Sequence, residues 1–240
     1  MSLTLIIGNK NYSSWSMRPW IAMKAAAIPF EEIVIPLYVP GSPEAIQRYS
    51  PAGKVPILID GDDTVWESLA ILEHLADRFP EAKLWPEDRR ARSFARAAAT
   101  EMHGGFQPLR QHCTMNLWLP PKARPMPPEV LANMKRIEAI WAGCRAHFGQ
   151  GAKGRGAFLF GAFGNVDAMY APVVARFHNY GLPVGPDARA YMDAVMALPA
   201  WREWYDAAMQ ETWVMQHNEP DWPLVRGVAP PDMAVARPAD

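Results

Sequence analysis

Short apolar runs alternate with segments of helical apolar spacing over the first eighty residues. The apolar runs predict strands at residues 3–7, 31–37, 57–60 and 64–66. Three further segments predict helices at residues 19–27, 43–48 and 67–79. Because a helix separates the first two strands, they can pair in parallel, whereas the Asp60-Gly61 turn predicts that the last two pair antiparallel. The resulting order, β-α-β-α-β-β-α, predicts a compact α/β sheet.

Beyond residue 88 the pattern changes to helical spacing alone. Helices are predicted at residues 91–102, 128–148, 165–180, 187–197 and 201–214. The longest of them carries one apolar stripe, formed by Val130, Met134, Ile137 and Trp141. We therefore expect an α/β plus all-α protein, with a thioredoxin-like domain at residues 1–82 and an all-helical domain at residues 88–240. The prolines after residue 219 predict an irregular tail.

Composition argues against several classes of function. The 240 residues carry a formal net charge of -1, so no overall positive field attracts nucleic acid or an anionic membrane. No apolar run is long enough to span a membrane, and we expect no secretory signal. The two cysteines, Cys113 and Cys144, lack metal-ligand spacing and are too few for a disulfide framework. We expect a cytoplasmic protein without a metal site.

The most informative polar stretch follows the first strand, at residues 11–19, and reads Asn-Tyr-Ser-Ser-Trp-Ser-Met-Arg-Pro. With Ser16 as the N-cap, Pro19 falls at the third helical position, where its missing N–H breaks no intrahelical bond. The other serines then lie in a loop beside a helix N-terminus, whose unpaired N–H groups favour an anion. Hydroxyl donors at that place suit an oxyanion or a thiolate. The alternative is an ordinary capped helix start.

Four short motifs resemble those of the glutathione S-transferase superfamily, in the same order along the chain. Residues 13–18 are similar to the Ser-Ser-Cys-Ser-x-Arg stretch of the zeta class, and Val55-Pro56 stands where the family carries a cis-proline before its third strand. Residues 67–71 match the Glu/Gln-Ser-x-Ala-Ile motif, and residues 164–167 stand where the family has a Ser/Thr-x-x-Asp capping box. Trp15 replaces the zeta cysteine, which argues against zeta isomerase chemistry but not against a glutathione site.

The resemblance implies an enzyme that binds reduced glutathione as a co-substrate, with no other cofactor, and activates its thiol. A hydroxyl in the first loop would stabilise the thiolate, which is the nucleophile. Ser13 matches the zeta motif, whereas the four-residue spacing to Arg18 seen in theta-like enzymes favours Ser14. Both stay candidate catalytic residues, with Ser14 preferred. Tyr12 is a further candidate, because some classes use a tyrosine here, and packing is its alternative role.

The same resemblance assigns residues to the rest of the tripeptide. A cis Val55-Pro56 bond would let the Val55 backbone pair with glutathione as it would with another strand. Ser68 would hold the glutamyl α-carboxylate at a helix start, and Glu67 would accept a hydrogen bond from the α-ammonium. Lys54 would reach the glycyl carboxylate or lie in solvent. The structural alternatives are a trans-proline at a strand start and an acidic first helical turn.

The second substrate is expected to be a small electrophile, as in detoxification. Candidates for its apolar pocket are Trp15, Met115 and Trp118. The family also implies a homodimer. Two other functions stay open, namely a zeta-like cis-trans isomerase of the maleylacetoacetate type and a binding or scaffold protein without turnover. A thiol oxidoreductase of this fold would need a cysteine at residues 13–16, where there is none.

Overall fold

The computed structural model describes residues 2–151 and 154–219. Its N-terminal part contains four strands, β1 (Leu3–Ile7), β2 (Phe30–Val34), β3 (Ile57–Asp60) and β4 (Asp63–Trp66). They form one sheet in the order β2-β1-β3-β4. β1 pairs parallel with β2 and antiparallel with β3, and β3 pairs antiparallel with β4. The predicted mixed sheet is confirmed.

A proline ends the second strand earlier than the apolar pattern predicts. β2 stops at Val34, although the predicted run continues to residue 37. The Ile35 N–H still donates to the Ile7 carbonyl oxygen at 2.8 Å, but Pro36 has no N–H to continue the ladder. The chain therefore leaves the sheet at this proline.

Three helices connect and follow these strands, α1 (Ser14–Ala25), α2 (Ser42–Gln47) and α3 (Ser68–Arg78). The predicted start of α1 is wrong. The helix begins at Ser14 after the N-cap Ser13, and Pro19 lies at its sixth position instead of its third. Ser16 does not cap the helix, because its Oγ accepts the Gly8 N–H at 3.1 Å and thereby ties α1 to the end of β1.

The second part of the chain is helical, which confirms the predicted fold class. Its helices are α4 (Arg89–Gly104), α5 (Gln107–His112), α6 (Pro128–Phe148), α7 (Asn165–Asn179), α8 (Pro186–Met196) and α9 (Pro199–Gln210). The bounds of α6 are those that the apolar stripe predicts. The pattern does not predict α5, because Leu109 is its one apolar residue besides proline and shows no helical period. A short hairpin of β5 (Gln150–Gly151) and β6 (Gly154–Arg155) lies where no strand was expected.

The change from sheet to helices lies between α3 and α4. A 3-10 turn at Pro80–Ala82 follows α3, and α4 opens after the N-cap Asp88, whose side chain accepts the Ala91 N–H at 2.7 Å. On this ground we propose domain limits of 1–82 and 88–240. The proline-rich tail expected after residue 219, with Trp222, lies outside the described residues.

α7 forms the centre of the helical part and packs against both α1 and α4. Every residue of this helix except His178 is buried. Its first turn is closed by Asp167, whose carboxylate accepts the Gly164 N–H at 3.0 Å and the Leu159 N–H at 3.1 Å. Burial raises the pKa of Asp167 to about 7. In a capping box the cap side chain and the side chain three residues later each bind a backbone N–H. Gly164 has no side chain, so Asp167 supplies the second of these two hydrogen bonds alone.

Replacing Asp167 with asparagine should cost more stability at about pH 5 than at about pH 8. Burial raises the Asp167 pKa from 3.8 to about 7, so the folded chain binds this proton more tightly and gains stability as the pH falls between these values. The variant lacks that gain. The difference in free energy of unfolding between the unchanged protein and the variant should therefore be about 1–3 kcal/mol larger at the lower pH. Denaturant unfolding measures both values. Asp77→Asn, at an exposed site of α3, is the control, and equal deficits at both pH values would contradict the raised pKa.

Candidate functional site

The loop between β1 and α1 is held by the helical part of the chain. The Lys10 N–H donates to Glu211 Oε1 at 2.6 Å, and the Asn11 N–H donates to Glu211 Oε2 at 2.9 Å. The Trp204 indole N–H donates to the Lys10 carbonyl oxygen at 2.9 Å, and the Trp118 N–H donates to Asn11 Oδ1 at 3.0 Å. Residues far along the chain therefore fix the loop that leads into the two candidate serines.

The two serines differ in what their hydroxyl groups already bind. Ser13 Oγ donates to Ser16 Oγ at 2.7 Å, so its proton is engaged. Ser14 Oγ instead accepts from the Arg176 guanidinium at 3.1 Å, and among the described residues its own proton has no acceptor. Both serines are buried, but both border an open cleft. Ser14 is thus the serine that can donate a hydrogen bond to an anion in the cleft.

The Tyr12 hydroxyl already has an acceptor. It donates to the Glu219 carboxylate, and the tyrosine ring meets Trp118 edge-on with ring centres 5.6 Å apart. Burial, with the nearby Glu219 charge, raises the pKa of Tyr12 far above its usual value. This environment favours a packing role for Tyr12 over contact with a thiol.

A cleft runs from these serines along the segment that precedes β3. One compartment has a volume of about 420 Å³ and borders Ser13 and Ser14. The other has a volume of about 220 Å³ and borders Ser68 at the start of α3. The compartments adjoin, because Trp15, Lys54 and Val55 line both of them. The Val55-Pro56 bond beside them is cis, as the resemblance implies.

Glu67 and Ser68 lie at the α3 end of the cleft. Ser68 is the first residue of α3 and is buried, so its N–H and hydroxyl lie at the positive end of that helix. Glu67 has a φ of 68°, a left-handed conformation that a non-glycine residue keeps only where its surroundings hold it. Its exposed carboxylate lies 3.6 Å from His103 Nε2. The turn therefore presents a carboxylate and a helix N-terminus side by side.

Arg18 is a buried cation beside this turn. Its side chain is 0% exposed, and Nη1 donates to Ser68 Oγ at 3.4 Å. Within the described part of the chain, Nε and Nη2 have no hydrogen-bond partner. Burial, and then the charges of Arg110 and Arg176, lower the pKa of Arg18. A buried guanidinium without a bound carboxylate makes the Ser68 end of the cleft favourable for an anion.

Of the three residues predicted for the second-substrate pocket, Trp15 does border the cleft. The guanidinium carbons of Arg18 and Arg110 lie 4.1 and 4.7 Å from the centre of its ring. The prediction is wrong for Met115 and Trp118, which are buried in the protein core. Trp118 turns inward because its indole N–H donates to the Ala208 carbonyl oxygen at 2.8 Å. Other apolar side chains line the larger compartment instead, among them Leu37, Tyr38, Val39, Ile46 and Met215.

Several residues reach the site without a local sequence signal. Arg110 and Glu211 are two of many charged residues in the helical part, and nothing in their neighbourhood marks them. Arg176 does carry a weak signal, because it interrupts an otherwise apolar stretch of α7. A charge inside an apolar helix needs a specific partner, which here is the Cys113 carbonyl oxygen at 2.8 Å together with Ser14.

The cysteines do not offer a thiolate of their own. Burial raises the pKa of Cys113 to about 11 and that of Cys144 to about 12, so both stay protonated at neutral pH. Across residues 2–151 and 154–219, no group of three or more His, Cys, Asp or Glu side chains is arranged to hold a metal ion. Over those same residues, no helix has the length and apolar character needed to cross a membrane.

A mixed four-stranded sheet with a cis-proline at a cleft, followed by a helical part, defines the class of glutathione-transferase-like folds. The glutathione S-transferase N-terminal domain family matches residues 12–78, and the glutathione S-transferase C-terminal domain family matches residues 121–207. The chain belongs to the glutathione S-transferase superfamily.

Individual relatives agree with this assignment. Glutathione S-transferase 1 of Dianthus caryophyllus is 33% identical over 106 residues. The match covers 43% of this chain and 48% of that relative, so the chain spans about half of the relative's length. A zeta-class glutathione S-transferase of Euphorbia esula is 28% identical over 183 residues, or 70% of this chain and 80% of that one. A solved glutathione transferase homologue from Burkholderia, with bound glutathione, shares the fold. It has a TM-score of 0.66 and 20% identity over 88% of this chain and 100% of its own.

Replacing Arg18 with methionine should stabilise the ligand-free protein. The change removes a buried charge that lacks a carboxylate partner among the described residues, while a flexible apolar side chain keeps the space filled. We expect the free energy of unfolding to rise by about 1–3 kcal/mol in a denaturant titration. Arg90→Met, at an exposed position of α4, should change it little. A clear loss of stability on changing Arg18 would mean that the fold requires the guanidinium.

Proposed function

We propose that this chain is a glutathione transferase, which ionises the thiol of reduced glutathione for attack on a small electrophile. The observation that carries the proposal is the pair of adjoining compartments, one at Ser68 and one at Ser14, with Val55 of the cis Val55-Pro56 bond lining both. An extended tripeptide that runs through both would have its glutamyl end at the start of α3 and its sulfur beside the serine loop. The bound glutathione of the Burkholderia homologue supports the same ligand.

The small compartment suits the charged groups of the glutamyl end. Its α-carboxylate would accept hydrogen bonds from the N–H and hydroxyl of Ser68, with the Arg18 guanidinium directly behind them. The α-ammonium would donate to the exposed carboxylate of Glu67. Lys54 borders both compartments and would reach the glycyl carboxylate. The backbone of Val55 would pair with the tripeptide between these ends.

The serine loop would stabilise the thiolate. Lowering the pKa of a thiol by about two requires about 2.7 kcal/mol of preferential stabilisation of the thiolate. One hydrogen bond to a charged group contributes about 1.5–3 kcal/mol, and a helix N-terminus adds up to ~1 kcal/mol. Ser14 is preferred because Arg176 polarises its hydroxyl, whereas the Ser13 proton is bound to Ser16. The serine would donate a hydrogen bond and would not become a covalent nucleophile.

The electrophile would lie in the larger compartment, against the loop after β2. Tyr38, Val39 and Met215 give this compartment apolar walls, which suit a hydrophobic molecule. Proximity to the bound thiolate then supplies the rate enhancement for conjugation, the reaction of detoxification. A homodimer, which the family resemblance implies, and a cytoplasmic location, which the two free cysteines favour, complete the proposal.

A glutathione-dependent cis-trans isomerase is the second candidate. Its support is a stretch of 102 residues that is 37% identical to maleylacetoacetate isomerase of Rattus norvegicus, covering 41% of this chain and 47% of that enzyme. Trp15 argues against it, because the zeta motif has a cysteine at this place. A scaffold protein without turnover is less favoured, since it would not need Ser14, the cis Val55-Pro56 bond and Ser68 along one cleft.

Ser68→Ala should weaken glutathione binding by about tenfold or more. The change removes a hydrogen bond to the glutamyl carboxylate worth about 1.5–3 kcal/mol. Titration calorimetry measures the affinity, and retention on glutathione-agarose gives a simple parallel readout. Ser93→Ala, at an exposed position of α4, is the matched control. Unchanged affinity in a folded Ser68→Ala protein would remove the glutamyl end from this position.

Ser14→Ala should lower the turnover of a generic aryl halide by about tenfold to a thousandfold, with little change in glutathione affinity. The hydroxyl acts on the ionised sulfur, so its loss should also raise the thiol pKa, measured by the ultraviolet absorbance of the bound thiolate against pH. Ser13→Ala should have the smaller effect, because that hydroxyl donates to Ser16. If neither change alters turnover, the assignment of the thiolate to this loop is wrong.

A further inference from the structure

We propose that Glu211 is a positioning residue for the thiolate site, because its carboxylate fixes the loop backbone that sets the direction of the Ser14 hydroxyl. The inference rests on the proposed function and adds to it a residue from the far end of the helical part. Glu211 follows α9 directly, and its side chain is buried against the loop between β1 and α1. Its carboxylate binds the backbone of Lys10 and Asn11, so it would act through the loop backbone.

Both oxygens of this carboxylate bind the loop. Oε1 accepts the Lys10 N–H at 2.6 Å, and Oε2 accepts the Asn11 N–H at 2.9 Å. Two consecutive backbone N–H groups that converge on one carboxylate form the arrangement in which a turn binds an anion. Here the anion belongs to the chain itself, 201 positions after Lys10. The conformation of the loop therefore depends on where α9 ends.

The bound residues lead directly into the serines. The N–H groups of Tyr12 and Ser13 both donate to the Asn9 carbonyl oxygen, at 3.2 and 2.8 Å, and close a tight turn around residues 10–11. A turn closed in this way moves as one unit. A displacement at residues 10–11 would therefore be passed to Ser13 and to Ser14, the first residue of α1.

The other contacts of this loop bind different groups of it. The Trp204 indole N–H binds the carbonyl side of Lys10, at 2.9 Å, and leaves the two N–H groups to Glu211. Burial raises the pKa of Glu211 to about 7, although the N–H groups of Asn11 and Lys10 oppose this. Burying a carboxylate costs stability. The orientation of the serine loop is a gain that offsets this cost.

Glu211→Gln tests the inference with a side chain of almost equal shape. The carboxamide keeps one acceptor oxygen but turns an NH₂ group towards the second backbone N–H, so one of the two hydrogen bonds is lost. We expect kcat for conjugation of a generic aryl halide to fall about tenfold to a hundredfold, as a misplacement of about 1 Å can cause. The Kd for glutathione should stay within about twofold, because Ser68 and Val55 lie outside the loop. The pKa of the bound thiol should rise.

Glu203→Gln is the matched control, because Glu203 lies exposed on α9 and pairs with Lys24 at 2.6 Å, away from the loop. It should leave kcat, Kd and the thiol pKa unchanged. A merely structural Glu211 would change the unfolding temperature alone. Unchanged kcat and thiol pKa in folded Glu211→Gln would therefore overturn the inference.

A second variant keeps the test decisive if Glu211→Gln does not fold. Glu211→Asp keeps the charge but is one methylene shorter, so it cannot reach both N–H groups and should also lower kcat at nearly constant Kd. Unchanged kcat in this variant would overturn the inference as well. A wild type that neither binds glutathione nor turns it over would refute the proposed function, and this role with it. An active wild type with an unaffected Glu211→Gln variant would refute the positioning role alone.

Discussion

The hydrogen bonds between the serine loop and the helical part are the constraint on which the site depends. Once the chain leaves β1, its backbone N–H and C=O groups lose the sheet ladder and need other partners. Glu211, Trp204 and Leu117 supply them, so the loop has a defined shape only when the two parts of the chain are packed together. The packing of α1 against α7 and α9 is therefore as important to the site as any residue in the cleft.

The same packing concentrates positive charge. Arg18 and Arg176 are buried where the two parts meet, and Arg110 lies near both. Arg110 and Arg176 donate to backbone carbonyl oxygens, whereas two nitrogens of Arg18 have no partner in the described part of the chain. A ligand-free protein carries the cost of this charge, and an anionic ligand at Ser68 would offset it. Stability and affinity thus oppose each other at Arg18, as is common at binding sites.

The two compartments of the cleft are built from different kinds of structure. The compartment at Ser68 is bounded by the start of α3 and the cis-proline segment before β3, which are held by the sheet. The compartment at Ser14 is bounded by the loop after β2 and by Met215, beyond the end of α9. Loops vary more readily than the elements that they connect. The walls of the larger compartment can therefore vary without disturbing the compartment at Ser68.

The sequence by itself determined the features that depend on local patterns. The order of strands and helices along the N-terminal part and the bounds of α6 follow from periodicity and short-range turn chemistry, and the cis bond at Pro56 follows from the family motif. The start of α1 did not follow, because Ser16 binds the Gly8 backbone instead of capping the helix. Only the tertiary structure decided that Trp118 turns into the core and that Glu211 and Arg176 reach the serine loop. These outcomes depend on hydrogen bonds between residues far apart in the chain, and such partners leave no periodic trace in the sequence around them.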